Sequence, residues 1–323
     1  MSPRARVLAI VAVAAAAAVA GTVGITLLQT RGEITIAPGA VGKPRPGIPP
    51  LWFSFGVRQD REARDLAHAA ELLNKGKRQP AEAIFVRYRS LQAAIGAAFA
   101  HWPAGGLDEL KRLVASHPQS PVAQLHLGYA YLWSGRNADA VASWQDVATQ
   151  HPDSPEAVQA ENILYAGKLA PGLPFIVTPL ALPATVTASS LQLLARDAER
   201  GNAQAKLRYG IVLWRLWRRV SAERQFEAAA RRAPHDPTAR TLAAVGAFTK
   251  RAPVRAFGRL GPLTGEFPKA AVVRFHLGVL LVWTKQLQKA LAQFRLAVAD
   301  APGSVYAQNA KTLITALPSH GTK

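Results

Sequence analysis

The chain has 323 residues, enough to bury a large hydrophobic core, and its formal net charge is +19. It contains no cysteine, which excludes disulfide scaffolds, thiolate metal sites and catalysis by a thiol. The basic excess favours anionic partners, which it attracts by long-range steering that salt screens.

The amino terminus carries an uncharged apolar stretch. Residues 7–28 contain no charged side chain and follow a short basic segment, residues 1–6. This stretch of 22 residues is long enough to cross a bilayer core of about 30 Å as a helix. It predicts a single-pass membrane protein, with residues 1–6 in the cytoplasm and the bulk of the chain extracytoplasmic. The alternative is a signal peptide cleaved after residue 20, which would make the chain secreted.

A linker follows at residues 29–57. Its middle part, APGAVGKPRPGIPP at residues 37–50, is rich in proline and glycine and predicts an extended spacer. Its last part, LWFSFGV at residues 51–57, is too apolar to stay solvated. We expect residues 51–57 to pack on the rest of the chain. A groove between helices is one surface on which they could lie.

Prolines then recur with a fixed period. Pro118 and Pro152 are 34 residues apart, and the same interval separates Pro234, Pro268 and Pro302. Before each proline, small and aromatic residues recur at helical spacing. They form three clear units and a weaker one at 237–268: Leu127, Gly128, Tyr131, Ala140, Trp144 and Val147; Tyr209, Gly210, Ala222, Phe226 and Ala229; Leu277, Gly278, Leu281, Ala290, Phe294 and Ala297.

These residues resemble the tetratricopeptide repeat family, in which a helix-turn-helix unit carries a leucine-glycine pair, spaced alanines, an aromatic residue and a closing proline. A less regular unit surrounds Ala69, Gly76 and Phe85. The resemblance implies an all-α, tetratricopeptide-like helical solenoid over residues 58–317, here with one N-terminal transmembrane helix and a tail at 318–323. Such arrays fold by stacking units that bury their apolar faces against each other, and they bind partners.

An insertion interrupts the period. Gly128 and Gly210 are 82 residues apart, which is two periods of 34 plus about 14 residues. The added residues fall at 169–186, LAPGLPFIVTPLALPATV, where repeated prolines forbid a regular helix. We favour an insertion that packs back on the array through Phe175 and its apolar neighbours. An exposed docking loop is the alternative.

No arrangement of residues predicts catalysis. The sequence has no paired-histidine zinc motif, no nucleophile elbow and no phosphate-binding loop. The histidines follow the repeat, since His126 and His276 each precede a leucine-glycine pair. We therefore predict a protein that is not an enzyme, with no cofactor and no metal.

The resemblance also implies a concave groove lined by the first helix of each unit. Its predicted residues are apolar and aromatic and suit an amphipathic helix or an extended apolar peptide: Leu125, Tyr129, Trp133, Leu207, Ile211, Trp214, Val245, Phe248, Phe275, Val279 and Trp283. In the alternative interpretation these residues are interior, covered by the chain's own segment at 51–57 or 169–186.

A basic region at 203–265 has 13 basic residues and three acidic ones. Its candidate anion-binding residues are Arg208, Arg215, Arg218, Arg219, Arg231, Arg232, Arg255 and Arg259. A solvated helix face is an equally good interpretation. If the region binds, its partners would be anionic lipid headgroups or envelope polymers, with nucleic acid unlikely.

Together these features predict a membrane-tethered scaffold or adaptor that binds a protein or peptide partner of the cell envelope. The alternatives are an anion-binding module that uses the basic region, and a non-catalytic accessory subunit of a membrane enzyme or secretion complex.

Overall fold

The computed structural model describes residues 42–317, and all regular structure in that range is α-helical. The chain divides into two compact units. Within the described range the first unit comprises residues 42–164 and the second comprises residues 165–317. We call them the first and the second array. The all-α fold class predicted from the sequence is confirmed.

The first array is a row of helix pairs. Consecutive helices pack against each other, and each odd-numbered helix also contacts the next odd-numbered one. The odd-numbered helices therefore form one layer of the array. The helices are α1 (Arg61–Asn74), α2 (Arg78–Phe85), α3 (Leu91–Ala100), α4 (Gly106–Ser116), α5 (Pro121–Trp133), α6 (Asn137–Gln150) and α7 (Pro155–Leu164).

The second array repeats this plan behind one additional helix. The additional helix packs on the first pair, and the first helices of successive pairs again contact each other in a row. The last helix has no second helix and ends the row. The helices are α8 (Ala188–Arg200), α9 (Ala203–Arg215), α10 (Arg219–Arg232), α11 (Pro237–Gly246), α12 (Val254–Glu266), α13 (Ala271–Trp283), α14 (Leu287–Asp300) and α15 (Val305–Ala316).

The periodic prolines follow the second helix of every pair except α1 and α2. Helix α6 ends two residues before Pro152, and α14 ends two residues before Pro302. The intervening residue is outside the helical region in both cases, because proline disfavours a helical conformation in the residue before it. The next helices begin at serine caps: Ser154 Oγ accepts from Ala157 N at 3.1 Å, and Ser304 Oγ accepts from Ala307 N at 3.1 Å.

Glycines of the first helices allow the two helices of a pair to approach closely. A Cβ atom on Gly278 would lie 2.5 Å from Phe294 Cε1, and one on Gly210 would lie 2.6 Å from Phe226 Cε1. Gly128 has the same relation to Trp144. The repeating glycine and aromatic residue are therefore two halves of one contact, in which the ring of the second helix covers the bare backbone of the first.

The insertion forms no helix. Helix α7 ends at Leu164 and α8 begins at Ala188, and residues 165–187 between them are extended or turn. The division between the two units falls at Tyr165.

The predicted localisation needs correction. Within residues 42–317 no helix combines the length and apolar character needed to span a membrane. This finding contradicts the prediction of a single-pass membrane protein, and we withdraw that localisation. The stretch at 7–28, on which the prediction rested, lies outside the described residues, as does the tail at 318–323.

Candidate functional site

The predicted groove residues lie in or next to the first helices and are covered. All except Trp133 are at most 3% exposed, and Trp133 is half-buried. Two extended segments, each of which precedes the helices of its own array, contact four of them: Trp133, Trp214, Phe275 and Trp283. We call residues 42–57 the first strap and residues 167–186 the second strap.

The first strap begins at the end of α5. Gly42 N donates to Gly135 O at 3.0 Å, and Arg45 N donates to Trp133 O at 2.8 Å. The Arg45 guanidinium lies over the Trp133 ring, 5.5 Å from its centroid. The strap thus pairs with carbonyl groups that the helix end leaves without an intrahelical donor.

Farther along, the first strap crosses the layer of first helices to α1. Leu51 exchanges two hydrogen bonds with the amide of Asn74: Leu51 N donates to Oδ1 and Asn74 Nδ2 donates to Leu51 O, both at 2.8 Å. Trp52 N donates to His126 Nε2 at 3.2 Å. Leu51 is 1% exposed, and the ring of Phe53 lies 5.3 Å from that of His126.

His126 is a neutral acceptor in this contact. Its Nδ1 donates to Val122 O at 2.7 Å, which leaves Nε2 as the lone-pair nitrogen. Burial disfavours the charged ring and lowers the pKa of His126 to about 4. At neutral pH His126 can therefore accept from a backbone N–H.

The second strap begins at the equivalent place. Ala170 N donates to Trp283 O, the last residue of α13, at 3.0 Å. The buried Lys250 donates from Nζ to Ala170 O at 2.7 Å. Phe175 packs edge-on against two predicted groove residues, 6.0 Å from the Phe275 ring and 5.6 Å from the Trp283 ring.

The second strap then crosses to α9, as the first strap crosses to α1. Trp214 Nε1 donates to Pro174 O at 2.7 Å, and Arg208 Nε donates to Ala181 O at 3.1 Å. Lys285 Nζ donates to Gly167 O. Ile176 and Val177 are buried, at 4% and 5% exposure.

The structure therefore has the arrangement in which the chain's own segments cover the groove. It brings Trp133 to the first strap and Trp214, Phe275 and Trp283 to the second. Tyr129 faces its neighbours instead, since its hydroxyl accepts from Gln159 Nε2 at 3.0 Å. The remaining predicted residues lie in the cores of the arrays: Leu125 in the first, and Leu207, Ile211, Val245, Phe248 and Val279 in the second.

The sequence analysis missed a repeated motif in the straps. Residues 42–49 read GKPRPGIP and residues 167–174 read GKLAPGLP, so both fit Gly-Lys-x-x-Pro-Gly-(Ile or Leu)-Pro. In both copies the fourth residue donates to the tryptophan carbonyl that ends a first helix. The sixth residue, Gly47 or Gly172, has a positive φ of 82° or 72°, which favours glycine. A search for repeats outside the helical period would have found this motif.

His276 occupies the same repeat position as His126 but is not satisfied in the same way. Its Nδ1 donates to Val272 O at 2.8 Å, and burial lowers its pKa to about 4. Its Nε2 is buried and has no hydrogen-bond partner. The indole N–H groups of Trp133 and Trp283 are also buried without an acceptor.

Several arginines of the predicted anion-binding region have other partners. Arg255 Nη2 lies 3.8 Å from Glu223 Oε1, and Arg259 pairs with Glu227. Arg208 holds the second strap, and Arg232 Nη1 donates to Gly201 O at 2.9 Å. Arg219 is buried, and burial lowers the pKa of Arg215. Arg218, Arg231, Arg232, Arg255 and Arg259 are exposed.

The part of the chain that the structure describes contains no cluster of three or more histidine, aspartate or glutamate side chains able to hold a metal ion.

Comparison with known proteins agrees with this architecture. Stacked helix pairs define the class of helical-repeat proteins, and residues 122–154, which span α5 and α6, match the tetratricopeptide repeat family. The family that the sequence analysis named is therefore confirmed over this helix pair. No curated protein matches the chain.

Among solved structures, yeast Tom70 is similar at a TM-score of 0.36 and 13% identity, over 84% of this chain and 52% of the Tom70 chain. The present chain thus spans about half the length of that relative. The TPR2AB domain of yeast Sti1, solved in complex with pHSP90, has a TM-score of 0.30 and 13% identity, over 79% of this chain and 98% of its own. A tetratricopeptide repeat protein from Parabacteroides merdae has a TM-score of 0.31 and 14% identity, over 78% of this chain and 98% of its own. At these TM-scores the likenesses carry no argument about partners.

Proposed function

We propose that the protein is a protein-interaction scaffold whose arrays bind an extended peptide segment of a partner along their first helices. The observation that carries this proposal is that each groove holds an extended peptide, its own strap. A surface that binds one such segment through backbone hydrogen bonds and aromatic contacts has the chemistry to bind another.

In this proposal the tryptophan and phenylalanine side chains provide the apolar contact area and the helix ends provide orientation. Trp133 and Trp283 present a ring to the strap and a carbonyl to its backbone N–H. Phe275 and Trp214 extend the contact along the second groove. Large aromatic residues in the middle of a contact surface contribute most to affinity in protein interfaces.

A partner must displace a strap to reach these residues. The strap is tethered next to its groove and competes at the high effective concentration that a short connection gives. Binding is therefore weak for a ligand that matches the strap only in part, and it is strong for one that adds contacts. The strap also keeps the aromatic residues out of water when no partner is present.

The test uses a library of dodecapeptides displayed on phage and selected on the full-length protein. Selected peptides should bind the unaltered chain and lose about 2 kcal/mol of affinity on Trp283→Ala or Phe275→Ala. Leu193→Ala is the matched control, since Leu193 is an apolar residue that is 59% exposed on α8. Circular dichroism establishes that each variant is folded. The proposal fails if no peptide is selected, or if folded groove variants bind selected peptides as well as the control does.

A further inference from the structure

The two straps share one motif, but they do not complete the hydrogen bonding of the buried histidine in both grooves. In the first array Trp52 N completes the hydrogen bonding of His126 at Nε2. In the second array the equivalent His276 Nε2 has no partner, although the ring is 0% exposed. The indole N–H groups of Trp133 and Trp283 are unpaired in both arrays, so the histidine is where the two grooves differ. A buried polar atom without a partner costs stability that a better ligand would recover.

The difference follows from what comes after the motif. Trp52 is the third residue after the motif's last proline in the first strap, and Val177 is the third residue after it in the second. The Trp52 amide reaches its histidine. The second strap instead places Phe175 between the rings of Phe275 and Trp283, and His276 Nε2 is left without a donor.

The second strap is also held partly by long side chains from outside the core. Lys285, which is exposed, donates to Gly167 O, and the half-buried Arg208 donates to Ala181 O. These two contacts lie at opposite ends of the strap. Neither of these two side chains is buried.

We propose that the groove of the second array is the exchangeable one and takes an extended peptide of the class Gly-Lys-x-x-Pro-Gly-(Ile or Leu)-Pro, with a backbone N–H three residues later that pairs with His276 Nε2. This inference rests on the proposed function and names the ligand class of one of its two sites.

Each part of the motif has a physical role that the two straps show. The fourth residue supplies the N–H that pairs with the tryptophan carbonyl. The glycine adopts the left-handed conformation that turns the chain into the groove. The prolines restrict the free peptide to extended conformations, which reduces the entropy lost on binding. The His276 ring is an acceptor because its Nδ1 is the donor to Val272 O.

The probe is a fluorescently labelled peptide with the sequence of residues 42–53, GKPRPGIPPLWF, titrated into the full-length protein. It should bind, and N-methylation of the backbone nitrogen corresponding to Trp52 should weaken binding about fivefold, the effect of one hydrogen bond. His276→Phe should weaken the unmodified peptide by a similar factor. His68→Phe, the same change at an exposed histidine of α1, should leave it unaltered.

Variants of the strap contacts give an independent readout. Lys285→Ala should tighten peptide binding several-fold by loosening the second strap, whereas Lys289→Ala, which alters an exposed lysine one turn away, should have no effect. On the unaltered protein, saturating peptide should speed hydrogen exchange of the Ala170 amide. This measurement and the N-methylated peptide do not depend on a variant that must fold.

The outcomes separate this inference from the proposed function. If a scrambled peptide of the same composition binds as well as the probe, and both peptides speed exchange of the Ala170 amide, the groove binds peptides without specificity for the motif. That outcome overturns the inference and leaves the proposed function standing. If neither peptide binds, and library selection also yields none, the proposed function falls as well. The inference alone is overturned if the probe binds but its affinity is unchanged by N-methylation, by His276→Phe and by Lys285→Ala.

Discussion

At the scale of single residues, the two buried histidines are the most informative groups. His126 and His276 occupy the same position of the same repeat unit, and each donates from Nδ1 to the carbonyl four residues earlier. Apolar and aromatic neighbours surround both rings, including Phe53 and Phe99 for His126 and Phe275 and Tyr306 for His276. Each array is therefore built around a histidine that must be neutral.

We expect the unfolding free energy to fall as the pH decreases from about 6.5 to about 4. The folded pKa values are about 4, below the ordinary value of 6.5. In that window the unfolded chain binds protons that the folded chain does not, so each histidine contributes about 1.4 kcal/mol per pH unit. The contribution is complete above the ordinary value of 6.5.

Urea unfolding at several pH values measures this slope. His276→Phe should lower the slope by the contribution of one histidine, about 1.4 kcal/mol per pH unit. His68→Gln, which changes an exposed histidine, should leave the slope unaltered. Equal slopes for His276→Phe and the unaltered protein would contradict the assignment.

The close contact at Gly278 gives a second prediction at this scale. Gly278→Leu overpacks the contact with Phe294 and should cost about 1 to 3 kcal/mol, measured as a lower melting temperature. Gly258→Ala is the control, since no atom lies within 4 Å of a Cβ placed there and alanine is the better helix former. The control should raise stability by about 0.5 to 1 kcal/mol. A melting temperature that Gly278→Leu leaves unchanged would mean that the pair does not depend on this contact.

At the scale of elements, the helices could be predicted and the straps only in part. Helical spacing and periodic prolines act within one or two turns of the chain, so α5, α6, α13 and α14 follow from local sequence. The straps contact residues far away in sequence. Arg45 N bonds to Trp133 O, 88 positions later, and no local pattern specifies such a partner.

The predicted groove shows the same limit. Its aromatic residues could be identified from their spacing, and their burial under a strap could be stated only as an alternative. A helical stripe that binds a partner and one that binds the chain's own segment have the same periodicity. The repeated octapeptide was visible in the sequence, but its period differs from that of the helices.

A strap graft tests whether the motif is one interchangeable element. Replacing residues 42–49 with the sequence of residues 167–174 should change the melting temperature by no more than a few degrees, since the glycine, its flanking prolines and the aliphatic residue are kept. Gly47→Val should destabilise by about 1 to 2 kcal/mol, because a side chain other than glycine is disfavoured at a positive φ. If both changes cost the same, the motif has no specific fit to the end of α5.

At the scale of the whole molecule, the net charge of +19 does not by itself define an anion site. Arg255 and Arg259 pair with glutamates, and Arg208 and Arg232 donate to backbone carbonyls. The charge acts through its long-range field more than through a preformed cluster. Such attraction speeds encounters and is screened by salt.

Titration with a single-stranded DNA of about 20 nucleotides at increasing salt measures how many arginines contact phosphates. If all eight candidates contacted phosphates, the logarithm of the binding constant would fall with a slope of about 5.6. We expect a slope below about 3. Glu223→Ala with Glu227→Ala should steepen the slope by releasing Arg255 and Arg259. A slope near the full value in the unaltered protein would show that the ion pairs open readily.

The order of strap and array along the chain has a consequence for synthesis. The ribosome makes each strap before the helices on which that strap packs. The strap therefore leaves the ribosome before its contact residues have been synthesised. Arg45 is followed by 88 residues before Trp133 is made, and Ala170 by 113 residues before Trp283. At about 5 to 20 residues per second, the first strap spends about 4 to 18 s without its binding surface. During that time its Leu51, Trp52 and Phe53 are open to chaperones, and the array closes only when its third helix pair leaves the ribosome.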